Sequence, residues 1–169
     1  KRHTSIQQKE ERIAMQRSVV LVKPDGLQRG LIGEIITRFE RKGLKLVALK
    51  MTKLTHEVLD TWYAHHKEKP FFAGLKSFMM QTPIVAMVWE GLDVADTIRK
   101  LVGVTKGRAA EAGSIRGDFA MSQSNNLIHA SDSNENAEKE VALLFSKDEL
   151  HAYDSGVDCL VYSSEERGI

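Results

Sequence analysis

Short unbroken apolar runs alternate along this chain with stretches in which apolar residues return every three or four positions. The run Ser18, Val19, Val20, Leu21, Val22 is β-branched and is stopped by Pro24, Asp25 and Gly26, which predicts a buried central strand ending in a turn with Lys23 at its mouth. Leu31, Ile32, Ile35, Ile36 and Phe39 then recur at helical spacing, and Gly43 is placed to cap the helix. A second strand is predicted over Leu44, Leu46, Ala48 and Leu49 through Leu54. Thr55 and Glu57 open a further helix with apolar positions Val58, Leu59 and Trp62, in a helical hairpin covering residues 56–80. Pro83 through Trp89 reads as a third strand, and Leu92, Val94, Ala95, Ile98 and Leu101 as a helix. Gly103 to Gly117 reads as a long glycine-containing loop. A short strand ends at His129, and a cap-rich helix start follows it. The tail from Asp148 reads as irregular, with a short strand at Leu160 to Tyr162 as its candidate element.

This order of strands and helices is an α+β order, compatible with a split βαβ sheet covered on one face by helices. No internal repeat stands out. Residues 1–14 are polar and charged and read as an N-terminal extension, disordered or added to the natural chain, ahead of a single domain over residues 15–169.

Composition narrows the class without changing the fold. A chain of 169 residues suits one domain, and 42% hydrophobic with 28% charged residues is the balance of an ordinary globular protein. Lys plus Arg number 24 against 23 for Asp plus Glu, so there is no bulk electrostatic footprint for nucleic acid. No apolar run is long enough to span a bilayer, and the first dozen residues lack the apolar centre of a secretory signal. Cys159 is the only cysteine, which excludes an intrachain disulfide and favours a reducing compartment, here taken as the cytoplasm.

The candidate chemistry gathers around His129. An imidazole at the end of a short strand is held on a rigid element yet can face a ligand, and a carboxylate on the following helix, among Glu138 and Glu140, could swing back to orient it. Taken alone, the residue reads first as a satisfied core histidine. Lys23, Arg99, Lys106, Arg108 and Arg116 cluster around turns, and guanidinium groups match phosphate oxygens with paired hydrogen bonds. Singly, each reads as a solvated surface charge. Gly26, Gly30 and Gly33 match neither a dinucleotide fingerprint nor a P-loop, and read as turn and packing glycines. His65 and His66 are adjacent and would diverge by about 100 degrees on a helix, which argues against a shared metal ion. Trp62, Tyr63, Phe71 and Phe72 could offer a stacking face for a base or pack as core aromatics.

Three segments taken together are far more specific. Lys23-Pro24-Asp25-Gly26 after a buried strand, Ile115-Arg116-Gly117-Asp118-Phe119, and Asn126-Leu127-Ile128-His129-Ala130-Ser131-Asp132-Ser133 resemble the nucleoside diphosphate kinases, in register from about Met15 to Tyr153. The resemblance implies a ferredoxin-like α+β core, nucleoside tri- and diphosphates as substrates with Mg²⁺ carried on their phosphates rather than by protein ligands, and a homo-oligomer, tetramer or hexamer. It implies that His129 is the phosphorylated nucleophile of a ping-pong reaction, oriented by Glu140 with Ser131 assisting and Tyr63 beside it. It further implies that Lys23, Arg99, Thr105 and Arg116 hold phosphates, that Lys23 and Asn126 meet the sugar, and that Phe71 stacks on the base. Stacking without edge recognition implies broad base and sugar specificity.

The chain departs from the family pattern at three places. Ala130 stands where glycine is usual, Gln123 where an aliphatic residue often faces the base, and Val104, Lys106 and Gly107 replace an acidic, polar and proline sequence in the long loop. None removes a catalytic group. A non-catalytic nucleotide-binding module on the same fold is disfavoured by the joint presence of His129, Glu140, Lys23, Arg99, Arg116 and Asn126. A nucleic-acid-binding protein is disfavoured by the neutral charge.

Overall fold

Val19, Val20, Leu21 and Val22 send alternate side chains to opposite faces of the first strand, and both faces are buried. The structure, a computed structural model, describes residues 15–167, so the extension expected over residues 1–14 lies outside the described residues. The elements follow as β1 (Gln16–Val22), α1 (Pro24–Gln28), α2 (Ile32–Arg41), β2 (Lys45–Thr52), α3 (His56–Trp62), α4 (Phe72–Met79) and β3 (Ile84–Gly91). After them come α5 (Val94–Val102), α6 (Ile115–Phe119), β4 (Ile128–Ala130), α7 (Asn134–Leu144), α8 (Asp158–Val161) and α9 (Ser164–Arg167). The four strands form one sheet in the order β2-β3-β1-β4 with every neighbouring pair antiparallel.

Helices cover both faces of this sheet, where one covered face was expected. Val20, Val22, Met87 and Trp89 pack against Ile35, Phe39, Ile98 and Ile115 from α2, α5 and α6. Val19, Leu21, Ala86 and Val88 pack against Leu59, Met79 and Leu144 from α3, α4 and α7. The unbroken apolar runs of β1 and β3 require this, since a strand with one wet face would alternate with polar residues. Each fully buried large side chain contributes about 1.5–3 kcal/mol of transfer free energy, and the tilted Phe39–Trp89 pair, with ring centroids 5.2 Å apart, anchors the first layer.

Local signals explain most boundaries. At the end of α2, Gly43 takes φ 91°, its N–H donates to Glu40 O, and the N–H of Leu44 donates to Phe39 O. That is a Schellman ending, and the positive φ is why glycine closes this helix. Thr55 accepts from the N–H of Val58 and starts α3.

Three expectations are corrected. The stretch 103–117 is not loop throughout: Ser114 accepts from Gly117 N–H and starts α6, a cap hidden among glycines. The segment around Leu160 forms α8 rather than a strand, closed by backbone bonds such as Val161 N–H to Val157 O. His65 and His66 lie in a tight 3₁₀ turn, with ring centroids 3.9 Å apart rather than divergent.

Candidate active site

β4 pairs with β1 so that His129 lies opposite Leu21, and the chain turns immediately afterwards into α7. Ser133 caps that helix by accepting from Asn136 N–H, which sets the phase of α7 and brings Glu140 back over the strand. His129 Nε2 stands 3.0 Å from Glu140 Oε1. Trp62 Nε1 donates to the same oxygen at 2.9 Å, and the Ser131 hydroxyl donates to Glu140 Oε2 at 2.6 Å. Ser131 Oγ in turn accepts from Val19 N–H, tying the cluster to β1.

This geometry fixes the imidazole tautomer. An ionised carboxylate only accepts hydrogen bonds, so the proton sits on Nε2 and the lone pair on Nδ1. Burial opposes the charge of Glu140, but the hydrogen bonds from His129, Ser131 and Trp62 outweigh it and hold the pKa below the ordinary carboxylate value. The Trp62 indole meets the His129 ring edge-on at 4.9 Å between centroids and limits its rotation.

The opposite wall is cationic. Lys23 is almost wholly buried and its Nζ donates to Asn126 Oδ1 at 2.7 Å. Burial first, then the Arg116 charge, push its pKa down to about 8, while Asp25 pulls it up. Arg116 spends three of its five N–H groups on backbone carbonyls, those of Asn126, Gly103 and Ile128, and so ties α5's end to the entry of β4. Burial and the nearby Arg99 lower its pKa to about 10. Asn126 Nδ2 donates to the carbonyls of Thr105 and Gln123.

Between these walls lies a cavity of about 1110 Å³, lined among others by Lys23, Tyr63, Arg99, Thr105, Arg116, Asn126 and His129. A neutral imidazole nitrogen facing fixed cations suits attack on a phosphorus centre, since the cations absorb charge on the phosphate oxygens. Among the described residues no group of three or more His, Cys, Asp or Glu is arranged to hold a metal ion, and no helix is long and apolar enough to cross a membrane.

The chain as a whole is similar to known proteins. Residues 16–150 match the family model described as nucleoside diphosphate kinase. The chain belongs to the nucleoside diphosphate kinase family. It is 48% identical over 148 residues to a nucleoside diphosphate kinase of Carboxydothermus hydrogenoformans, covering 88% of this chain and 99% of the relative. It is 52% identical over 135 residues to one of Staphylothermus marinus, covering 80% and 96%. The solved structure of a halophilic nucleoside diphosphate kinase from Halobacterium salinarum, in complex with CDP, superimposes with a TM-score of 0.86 at 46% identity, over 89% of this chain and 100% of that one. The sheet order found here is therefore the ferredoxin-like α+β arrangement of the nucleoside diphosphate kinases. The chain is an enzyme, a nucleotide-binding phosphotransferase of that family.

Within this nucleoside diphosphate kinase most site residues expected from the sequence come together, and some do not. His129, Lys23, Tyr63, Arg99, Thr105, Arg116, Asn126 and Glu140 share the cavity. Ser131 is buried behind it and reaches it through Glu140. Tyr63 stacks on Trp62, and burial with the Glu140 charge raises its pKa to about 12. Phe71 stands outside the cavity wall, 53% exposed, at the end of an aromatic row in which His66 stacks on Tyr63 and meets Phe71 edge-on. Trp62 was read from the sequence only as a stacking or core aromatic. Its signal was chemical, since a half-buried indole N–H needs an acceptor.

Proposed function

We propose that this enzyme moves the terminal phosphate of a nucleoside triphosphate to a nucleoside diphosphate through a covalent phosphate on His129 Nδ1. The carrying observation is the His129 Nε2–Glu140 Oε1 bond, which leaves the Nδ1 lone pair for the cavity and its cations. Nδ1 attacks the γ-phosphorus in line, the P–N bond forms as the bridging P–O bond breaks, and the nucleoside diphosphate leaves with the electron pair. The positive charge gained by the ring is balanced by Glu140. A second nucleoside diphosphate enters the same cavity and its terminal phosphate oxygen takes the phosphorus back, which makes the kinetics ping-pong.

Lys23, Arg99 and Arg116, with the Thr105 hydroxyl, hold the phosphates, and Lys23 with Asn126 meets the sugar. The exposed Phe71 ring at the end of the aromatic row supports stacking of the base without edge contacts, and with it broad specificity. The cavity wall offers cations, hydroxyls and amides rather than a carboxylate cluster, a donor set that fits a Mg²⁺ ion held by the phosphates themselves. Bound there, the ion would neutralise charge on the phosphate oxygens. Exposed Leu49 and Met51 on edge strand β2 support assembly into a homo-oligomer, tetramer or hexamer, and the single free Cys159 supports a cytoplasmic setting.

The test is single-turnover labelling. With γ-labelled ATP the chain takes up an acid-labile, base-stable label that an added nucleoside diphosphate removes. Failure of the parent chain to label under conditions that support turnover would rule out the covalent route.

A further inference from the structure

Leu127, immediately before β4, has φ 72°, a left-handed backbone that a bulky non-glycine residue rarely adopts. Its surroundings show what holds it there. The Lys23 N–H donates to Leu127 O at 2.8 Å, and the Leu127 N–H donates to Asp25 Oδ2 at 3.0 Å. Gly26 lets the two backbones approach: a Cβ there would stand 2.8 Å from Leu127 O and from the Val22 side chain. The strained peptide is clamped from both ends by the segment that follows β1.

The residues on either side of that peptide are those of the site. Asn126 accepts from Lys23 Nζ, Ile128 and Asn126 give their carbonyls to Arg116, and His129 is two residues on. Asp25 Oδ1, the other carboxylate oxygen, is buried without a hydrogen-bond partner. Its negative charge lies close enough to Lys23 and to Arg116 to favour the charged form of both.

We propose that Asp25 is a positioning residue of this active site: one carboxylate oxygen locks the left-handed Leu127 that aims Asn126 and His129, and the carboxylate charge is the internal counter-anion of the Lys23–Arg116 pair. The role rests on the phosphoryl-transfer reading above and adds to it a residue that touches no substrate. It explains an otherwise costly arrangement. Two cations buried side by side repel, and a fixed anion beside them favours the charged form of Lys23. Other charged and titratable groups reach the same cavity: Arg99 from α5, Asp132 and His129 at the end of β4, Glu140 and Lys139 from α7. His65 and His66 stand across it. Among these groups only Asp25 acts on Lys23 as an opposing charge strong enough to register in its pKa.

The two duties separate by substitution. In Asp25→Asn the side-chain oxygen still accepts from Leu127 N–H, so the backbone is kept and the charge is lost. Asp25→Ala loses both. The measurement is kcat and KM for phosphate transfer from ATP between pH 6.5 and 9.5, with melting temperature as a control on folding. The alkaline limb of kcat/KM is expected to move down by about one pH unit in Asp25→Asn, a tenfold change in the proton equilibrium. Asp25→Ala is expected to add a rise in KM of about tenfold or more at pH 7. An alkaline limb at the parent's pH in a folded Asp25→Asn chain would overturn the counter-anion role, and an unchanged KM in a folded Asp25→Ala chain the positioning role. If Asp25→Ala does not fold, the Asn profile still decides the counter-anion role, and Asp25→Ser, whose shorter side chain gives up the reach to Leu127 N–H, replaces Ala for the positioning role with the same KM criterion. Loss of labelling in the parent would instead strike at the transfer reading, so the two failures are distinguishable.

Discussion

Glu140 Oε1 and His129 Nε2 lie 3.0 Å apart, and with that nitrogen engaged the ring has Nδ1 left for the proposed transfer. Glu140→Gln keeps the shape but can present an N–H to Nε2, which places the proton on Nδ1 and removes its lone pair. The expected result is a fall in kcat of about 10²–10⁴-fold, the scale seen when a positioned base holds the wrong tautomer. Nucleotide affinity, measured by calorimetry with ADP, should stay within about threefold, because the cationic wall is untouched.

Trp62 shares the same acceptor oxygen. Trp62→Phe keeps an aromatic edge against His129 but removes the N–H. Loss of one hydrogen bond to a charged group is worth roughly 1.5–3 kcal/mol. Phosphoenzyme formation in rapid-quench experiments should slow by about tenfold or more, and Trp62→His should recover part of the rate.

Arg116, proposed to hold phosphate, is also a structural tie. A lysine cannot span the three carbonyls that it joins. Arg116→Lys should therefore raise KM and also lower the melting temperature by roughly 5–15 °C, about 2–4 kcal/mol for a chain of this size. Calorimetric melting checks the second half independently of activity.

Lys23 carries a pH signature. Its pKa is pushed down from 10.5 to about 8, so the charge is present below about pH 8 and lost above it. ADP affinity should fall as pH rises from 8 to 9.5. The sign reverses for folding. Between about pH 8 and 10.5 the unfolded chain binds more protons than the folded one, so this group makes stability rise with pH across that window. Urea denaturation of the nucleotide-free chain at pH 8 and 10 should show the rise, and Lys23→Met should diminish it.

Phe71 offers a cleaner separation of binding from folding. Being 53% exposed, it contributes little to the core. Phe71→Ala should leave the melting temperature within a few degrees and weaken ADP binding by about 1–3 kcal/mol if the base stacks there. Equal loss of stability would return the ring to a packing role.

Much of the fold is legible in the sequence. The apolar run 19–22, the α2 periodicity with Gly43, and the strand at 84–89 all reappear, because burial on both faces and helix capping are written in adjacent residues. That a carboxylate of the following helix would meet His129 was legible as far as Glu138 or Glu140, and the family resemblance singled out Glu140; the Ser133 cap that sets the helical phase is visible only in the structure. What was not legible depends on distant partners. The indole of Trp62 meets Glu140 78 residues away, and Asp25 meets Leu127 102 residues away. The α6 helix was hidden because its cap, Ser114, sits between glycines that dominate the local pattern. Ala130, a departure from the family, is half-buried, paired with Val20 and packed against the first core layer, and it also lines the cavity beside His129.

The central claim is that His129 carries phosphate on Nδ1 because Glu140 holds Nε2. Phosphoenzyme isolated after brief exposure to ATP and examined by phosphorus–proton correlation NMR distinguishes the two nitrogens directly. The expected result is phosphorus bonded to Nδ1 of His129. Phosphorus on Nε2, or on Ser131, would contradict it.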